Sequence, residues 1–112
     1  MLNKFRYVLR KRLFRNMQED DIKYEELETL IKDGAILVDV RNPLEFKEGH
    51  LNNAISIPEY ELNKNAEKIL TDKTQTVIVY CTSGHRSRRA YDTLKKQGYQ
   101  HVYNLYGGLE GI

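Results

Sequence analysis

The segment "TVIVY", residues 76–80, is an unbroken run of β-branched and aromatic side chains. Such residues favour extended chain. With no polar alternation, a strand of this kind has to be covered on both faces, which is the condition of strands in parallel sheets flanked by helices. The segment "AILVDV", residues 35–40, repeats the pattern and is broken only by Asp39. Two such runs constrain the fold more than any other feature of the chain.

The remaining segments fit around them. "DIK" at residues 21–23 predicts a short strand, and "YEELETLIKDG" a helix with Tyr24, Leu27, Leu30 and Ile31 on one face and Gly34 as its stop. "NPLEFKEG" carries a helix start and stop, with Asn42 as cap, Pro43 at the first position and Gly49 at the end. "AISIP" predicts a strand closed by Pro58, and "EYELNKNAEKIL" places Leu62, Ala66, Ile69 and Leu70 at helical spacing. Residues 87–97 read as a helix ending at Gly98, "HVYNL" as a last strand, and "YGGLEGI" as a turn with at most one helical turn. Strands alternating with helices predict an α/β fold, a mostly parallel five-stranded sheet with helices on both faces. In such sheets ligands bind beyond the carboxyl ends of the strands. That directs attention to two loops, one after Val40 and one after Tyr80.

With 112 residues, 40% apolar and 30% charged, the chain fits one domain with a core of useful size. Its single cysteine excludes an internal disulfide framework, a CxxC redox pair and a Cys-rich zinc site. His50, His85 and His101 are not at zinc-motif spacing. No metal or cofactor is expected. A reducing compartment, and so a cytoplasmic location, is the simplest setting.

The net charge of +2 is unevenly distributed. Residues 1–16 carry six Lys or Arg and no acid, leaving 12 Lys or Arg against 16 Asp or Glu in the other 96 residues. The acidic balance of the larger part argues against nucleic-acid binding. The boundary divides a basic N-terminal arm, residues 1–19, from a domain at 20–112. In the arm, Leu2, Phe5, Leu9 and Leu13 can share one helical face. Three readings compete for it: a solvated basic arm, an amphipathic helix making peripheral contact with a membrane surface through residues 1–16, and an organelle-targeting presequence.

The loop "CTSGHRS" begins directly at the carboxyl end of the predicted strand 76–80. It is short enough for its N–H groups to curl around a point above Cys81, and Gly84 permits the backbone angles needed. Such a concavity next to a helix N-terminus binds anions, and it lowers the pKa of a cysteine within it. Arg86 falls in this loop and can turn a two-pronged donor toward a bound anion. His85 can add another donor. Arg88 and Arg89 read as solvated or as a surface attracting anionic substrates or acidic partners. Asp39 and Arg41 read first as a paired buried network fixing the loop after the second strand, and second as an extension of the positive field. Glu45 and His50 read as structural.

At these residues the chain resembles the rhodanese-like family of single-domain sulfurtransferases. Three segments carry the resemblance: "ILVDVRNPLEFKEGHLNNAISIP" with Asp39, Arg41, Gly49, His50, Leu51, Ala54, Ile57 and Pro58; "VYCTSGHRS"; and "YNLYGGLEG". It implies a rhodanese-like fold from about residue 20 onward. It also implies that Cys81 attacks the outer sulfur of thiosulfate or a persulfide donor and carries it as a persulfide to cyanide or a thiol. Thr82, Ser83, Gly84, His85 and Arg86 would then hold the donor anion, with Asp39 and Arg41 in support. The partners implied are a small anionic sulfur donor, a thiol or cyanide acceptor, and in one variant a sulfur-accepting protein.

Two alternatives stand beside this reading. A persulfide carrier or regulatory binding module would use the same loop without turnover of small molecules. A cysteine phosphatase or arsenate reductase would need five residues between cysteine and arginine to surround a tetrahedral oxyanion. Here four, Thr82 to His85, separate Cys81 from Arg86.

Overall fold

A computed structural model describes residues 17–112. The basic segment 1–16, read above as an arm or amphipathic helix, lies outside the described residues. The elements are β1 (Asp21–Ile22), α1 (Tyr24–Lys32), β2 (Ile36–Asp39), α2 (Pro43–Glu48), β3 (Ile55–Ser56), α3 (Leu62–Ile69), β4 (Thr76–Tyr80), α4 (His85–Lys96) and β5 (His101–Leu105). Short 3₁₀ turns occupy Glu59–Glu61 and Gly108–Gly111.

The five strands form one sheet in the order β1-β5-β4-β2-β3. Every pairing is parallel, with Ile36 opposite Val77 and Val77 opposite Val102 at the centre. The sequence pointed to a mostly parallel sheet, and the sheet is wholly so. Side chains alternate across β4 with the period of two that a strand imposes. Val77 and Val79 join Leu62, Ala66, Ala90 and Leu94 of α3 and α4 on one face. Ile78 and Tyr80 join Leu27 of α1, with Leu51 and Ala54, on the other. Burying the central strands this way contributes about 1.5–3 kcal/mol for each large apolar side chain.

The strand order carries a consequence for function. From β2 the chain moves outward to β3, then returns to place β4 on the opposite side of β2. The loops leaving β2 and β4 therefore diverge from adjacent strands, and a crevice opens between them at the sheet's carboxyl edge. Such a reversal point is where open α/β sheets hold ligands.

The sequence expected the helix after Cys81 to begin at residue 87. It begins at His85, so Arg86 lies in the first helical turn and not in the loop. Arg88, expected to be solvated, is mostly buried: it pairs with Asp21 and its guanidinium stacks over Tyr91 at 4.4 Å from the ring centre. This pair joins α4 to the first strand. Met17, just ahead of that strand, is buried.

Candidate active site

Cys81 follows β4 directly and is fully buried. Its sulfur lies 3.1 Å from the amide nitrogen of Gly84 and 3.3 Å from that of Ser87, both of which donate to it. Ser87 Oγ is 3.4 Å away and also lies 3.2 Å from the Gly84 carbonyl. The thiol donates to Ser87 Oγ while that hydroxyl donates to the Gly84 carbonyl; turned about its C–O bond, the hydroxyl can donate to a thiolate instead. The first amides of a helix have no partner within the helix. At the start of α4 the capping position is Gly84, which has no side chain, and the Cys81 sulfur supplies an acceptor in its place.

Two opposed effects set the ionisation of Cys81. Burial disfavours the thiolate, while the Ser87 hydroxyl and the amides of Ser87, Gly84 and Ser83 favour it. The hydrogen bonds win, and the thiol sits below its ordinary value. A thiolate is the reactive form of cysteine, and the loop's hydrogen bonds favour that form.

Glycine is required at two positions. Gly84 has φ +98°, in the left-handed region that turns the loop back into α4. Gly108 packs directly beneath the loop: a Cβ there would stand 2.4 Å from the Cys81 carbonyl oxygen and 2.7 Å from that of Thr82. Those carbonyls are held from below, since Leu109 donates its amide to Cys81 and Glu110 to Thr82 at 3.0 and 2.9 Å. These contacts anchor the start of the loop whose Gly84 and Ser87 amides face the sulfur.

The remaining residues of the loop divide. Ser83 and His85 are exposed and contact each other, Oγ to Nδ1 at 3.0 Å. Thr82 Oγ1 accepts from Arg86 at 3.2 Å. Arg86 does not present its fork to open solvent. Nη1 and Nη2 donate to the two carboxylate oxygens of Glu45 at 2.7 and 3.1 Å, which joins α4 to α2 across the crevice. Glu45 raises the Arg86 pKa most, and the nearby Cys81 charge raises it further. Arg86 thus faces both the carboxylate and the sulfur. In turn Arg86 holds the Glu45 carboxyl down to about 2.

Asp39 and Arg41 sit behind this arrangement. Arg41 Nε lies 3.1 Å from both Asp39 oxygens, its Nη2 lies 2.8 Å from one of them, and the same Nη2 donates to the Gly49 carbonyl at 2.6 Å. Both side chains are buried and Arg41 is held charged, first of all by its hydrogen bonds to Asp39. His50 stacks on Phe46 and contacts its carbonyl.

Sequence reasoning missed Ser87 as a partner of the sulfur. The signal was present: once the helix starts immediately after Gly84, the third amide belongs to Ser87 and has to find an acceptor near Cys81. It also missed Glu45 as the partner of Arg86, for which a separation of 41 residues gives no local cue. Among the described residues no group of three or more His, Cys, Asp or Glu side chains is gathered as metal ligands would be. A groove of about 710 Å³ between α1 and residues 50–53 contains none of the loop residues.

The Rhodanese-like domain family matches residues 23–112 of the chain. The chain is 40% identical over 75 residues to the thiosulfate sulfurtransferase PspE of Escherichia coli, covering 67% of this chain and 71% of that protein. It is 37% identical over 106 residues to the uncharacterised protein YqhL of Bacillus subtilis, covering 93% of this chain and 76% of YqhL. It spans only 27% of the tRNA uridine(34) hydroxylase of Erwinia tasmaniensis, to which it is 32% identical over 93 residues, 79% of this chain. The crystal structure of BH2092 from Bacillus halodurans superimposes with a TM-score of 0.74 at 30% identity, covering 98% of this chain and 79% of that one. The all-parallel sheet, the cysteine loop at its reversal point and the match over residues 23–112 agree, and the chain belongs to the rhodanese-like domain family.

Proposed function

We propose that the protein is a sulfurtransferase that carries sulfane sulfur as a persulfide on Cys81. The observation that carries this reading is the convergence of the Gly84 and Ser87 amides on the Cys81 sulfur, with the Ser87 hydroxyl 3.4 Å from it. Donors arranged this way stabilise an anionic sulfur before and after it accepts a second sulfur atom. The likeness to PspE supports the same chemistry.

In the first step the Cys81 thiolate attacks the outer sulfur of the donor. The donor's S–S bond breaks and its electron pair leaves with the inner fragment, as sulfite from thiosulfate or as a thiolate from an alkyl persulfide. In the second step a nucleophile, cyanide or a thiolate, attacks the outer sulfur of the Cys81 persulfide. The electron pair returns to Cys81, which is again a thiolate. No net oxidation or reduction occurs and no second cysteine of the chain is needed. Two half-reactions through a covalent intermediate give ping-pong kinetics. In this reading Thr82 and Arg86 line the approach to the sulfur, and Ser83 and His85 form its exposed rim. Asp39 and Arg41 hold the neighbouring loop.

Steady-state sulfur transfer to cyanide, with wild type and Cys81→Ser compared, tests the reading. It predicts parallel double-reciprocal plots for wild type and no transfer by the variant. Transfer by the variant at the wild-type rate would overturn it.

A further inference from the structure

The charges around the crevice are balanced in a way the proposed reaction does not require. All four arginines among the described residues are paired with carboxylates: Arg41 with Asp39, Arg86 with Glu45, Arg88 with Asp21 and Arg89 with Glu59. The Glu45 pair is the one that bears on the sulfur. Arg86 lies in the first turn of α4, beside the cysteine loop, and the nearby Cys81 charge raises its pKa. Both ends of its fork are on Glu45, and Nη2 is also on Thr82. A sulfonate group approaching Cys81 would have to compete with a carboxylate already seated in bidentate geometry.

Glu45 is itself firmly placed. It closes the capping box at the start of α2, accepting from the Asn42 amide at 3.1 Å while its own amide donates to Asn42 Oδ1 at 2.9 Å. Its charge does not switch in the ordinary pH range, because Arg86 holds it ionised down to about 2. The pair is therefore a standing feature of the site. An incoming dianion therefore meets the Cys81 thiolate with the Arg86 charge already neutralised by Glu45.

We infer that Glu45 is a specificity-determining residue that disfavours dianionic oxyanion donors such as thiosulfate and selects donors of low charge, alkyl or protein persulfides. The inference rests on the sulfur-transfer reading above and narrows its donor. For such a donor the step balances without an anion site: the Cys81 thiolate takes the outer sulfur of R–S–SH, the S–S bond breaks, and the thiolate R–S⁻ leaves. The proton stays on the outer sulfur now bound to Cys81. The leaving group then carries one negative charge where sulfite carries two.

The test compares wild type with Glu45→Gln, which keeps the size of the side chain and its capping-box hydrogen bond while removing the charge. Two donors are used, thiosulfate and hydroxyethyl persulfide, with cyanide as acceptor, and thermal melting verifies that the variant is folded. The expected result is a rise of roughly tenfold in the ratio of kcat/KM for thiosulfate to that for the persulfide, equivalent to about 1.4 kcal/mol. It should arise mainly from a lower KM for thiosulfate and fade as salt is added. A ratio that stays the same or falls would overturn the inference and leave Glu45 a structural partner of Arg86. If wild type takes sulfur from neither donor, the sulfur-transfer reading fails and the inference falls with it. If it takes sulfur but the ratio does not rise, only the inference fails.

Discussion

The two loops that leave adjacent strands at the sheet's carboxyl edge are treated differently. After β2, the buried Asp39 and Arg41 satisfy each other, and Asn42 and Glu45 close a capping box on α2. Most of that loop's polar groups bond within it, and the Glu45 carboxylate also reaches across to Arg86 of α4. After β4, the amides of Gly84 and Ser87 have no backbone partner and point at one sulfur atom. The first loop is a finished piece of structure and the second is a set of donors arranged around a reactive group. Position at the reversal point of an open sheet is shared by both, so position alone does not make a site. The difference lies in whether the loop's hydrogen bonds close among themselves or converge on a side chain with chemistry.

The largest effect that would break this comparison comes from the closed loop. Asp39→Ala leaves Arg41 buried without its carboxylate and should cost about 3–5 kcal/mol in urea unfolding. In the protein that remains folded, the pH midpoint of Cys81 alkylation by iodoacetamide should not move. A moved midpoint would mean that the two loops do not act separately.

Next in size is the support beneath the open loop. Gly108→Ala forces a Cβ against the Cys81 and Thr82 carbonyls, displacing the amides that face the sulfur. Misplacement on the scale of 1 Å can cost about 10²-fold in rate, and sulfur transfer should fall by about that factor. A variant with wild-type kcat/KM would show that the C-terminal turn does not set the loop.

A smaller change sharpens the electrostatics. Ser87→Ala removes the hydroxyl that favours the thiolate. A hydrogen bond to a charged group is worth about 1.5–3 kcal/mol, so the alkylation midpoint should rise by about one pH unit or somewhat more. The sign is fixed: the wild-type thiol is depressed, and losing a donor to the anion moves it upward. The Glu45 carboxyl is depressed too, from 4.5 to about 2. Its contribution to stability is fully present above pH 4.5 and is lost only as pH falls toward 2.

The smallest effect belongs to the exposed cap. Asn42→Ala should cost about 1 kcal/mol, read from a shift in urea midpoint, with sulfur transfer unchanged within error. A larger loss would mean that the capping box carries Glu45's position as well as the helix start.

Much of this was legible in the sequence because it is local. The apolar runs at 35–40 and 76–80 marked the buried strands, and Asn42, Pro43 and Gly49 marked both ends of α2. Gly84 and the spacing from Cys81 to Arg86 marked the loop. Hidden from that reading were contacts made by chain segments far apart. Arg86 meets Glu45 and Arg88 meets Asp21 only after the sheet has brought α4 beside α2 and β1. The early start of α4 was also hidden, because arginines in a first helical turn oppose the helix dipole and read as loop. Their carboxylate partners offset that cost, and those partners are not neighbours in sequence.

The central claim is that Cys81 carries the transferred sulfur. Intact mass after incubation with hydroxyethyl persulfide, followed by removal of the donor, tests it most directly. The account predicts a gain of one sulfur atom in wild type, its loss on adding cyanide, and no gain in Cys81→Ser. A wild-type mass that does not change, or an equal gain in the serine variant, would contradict it.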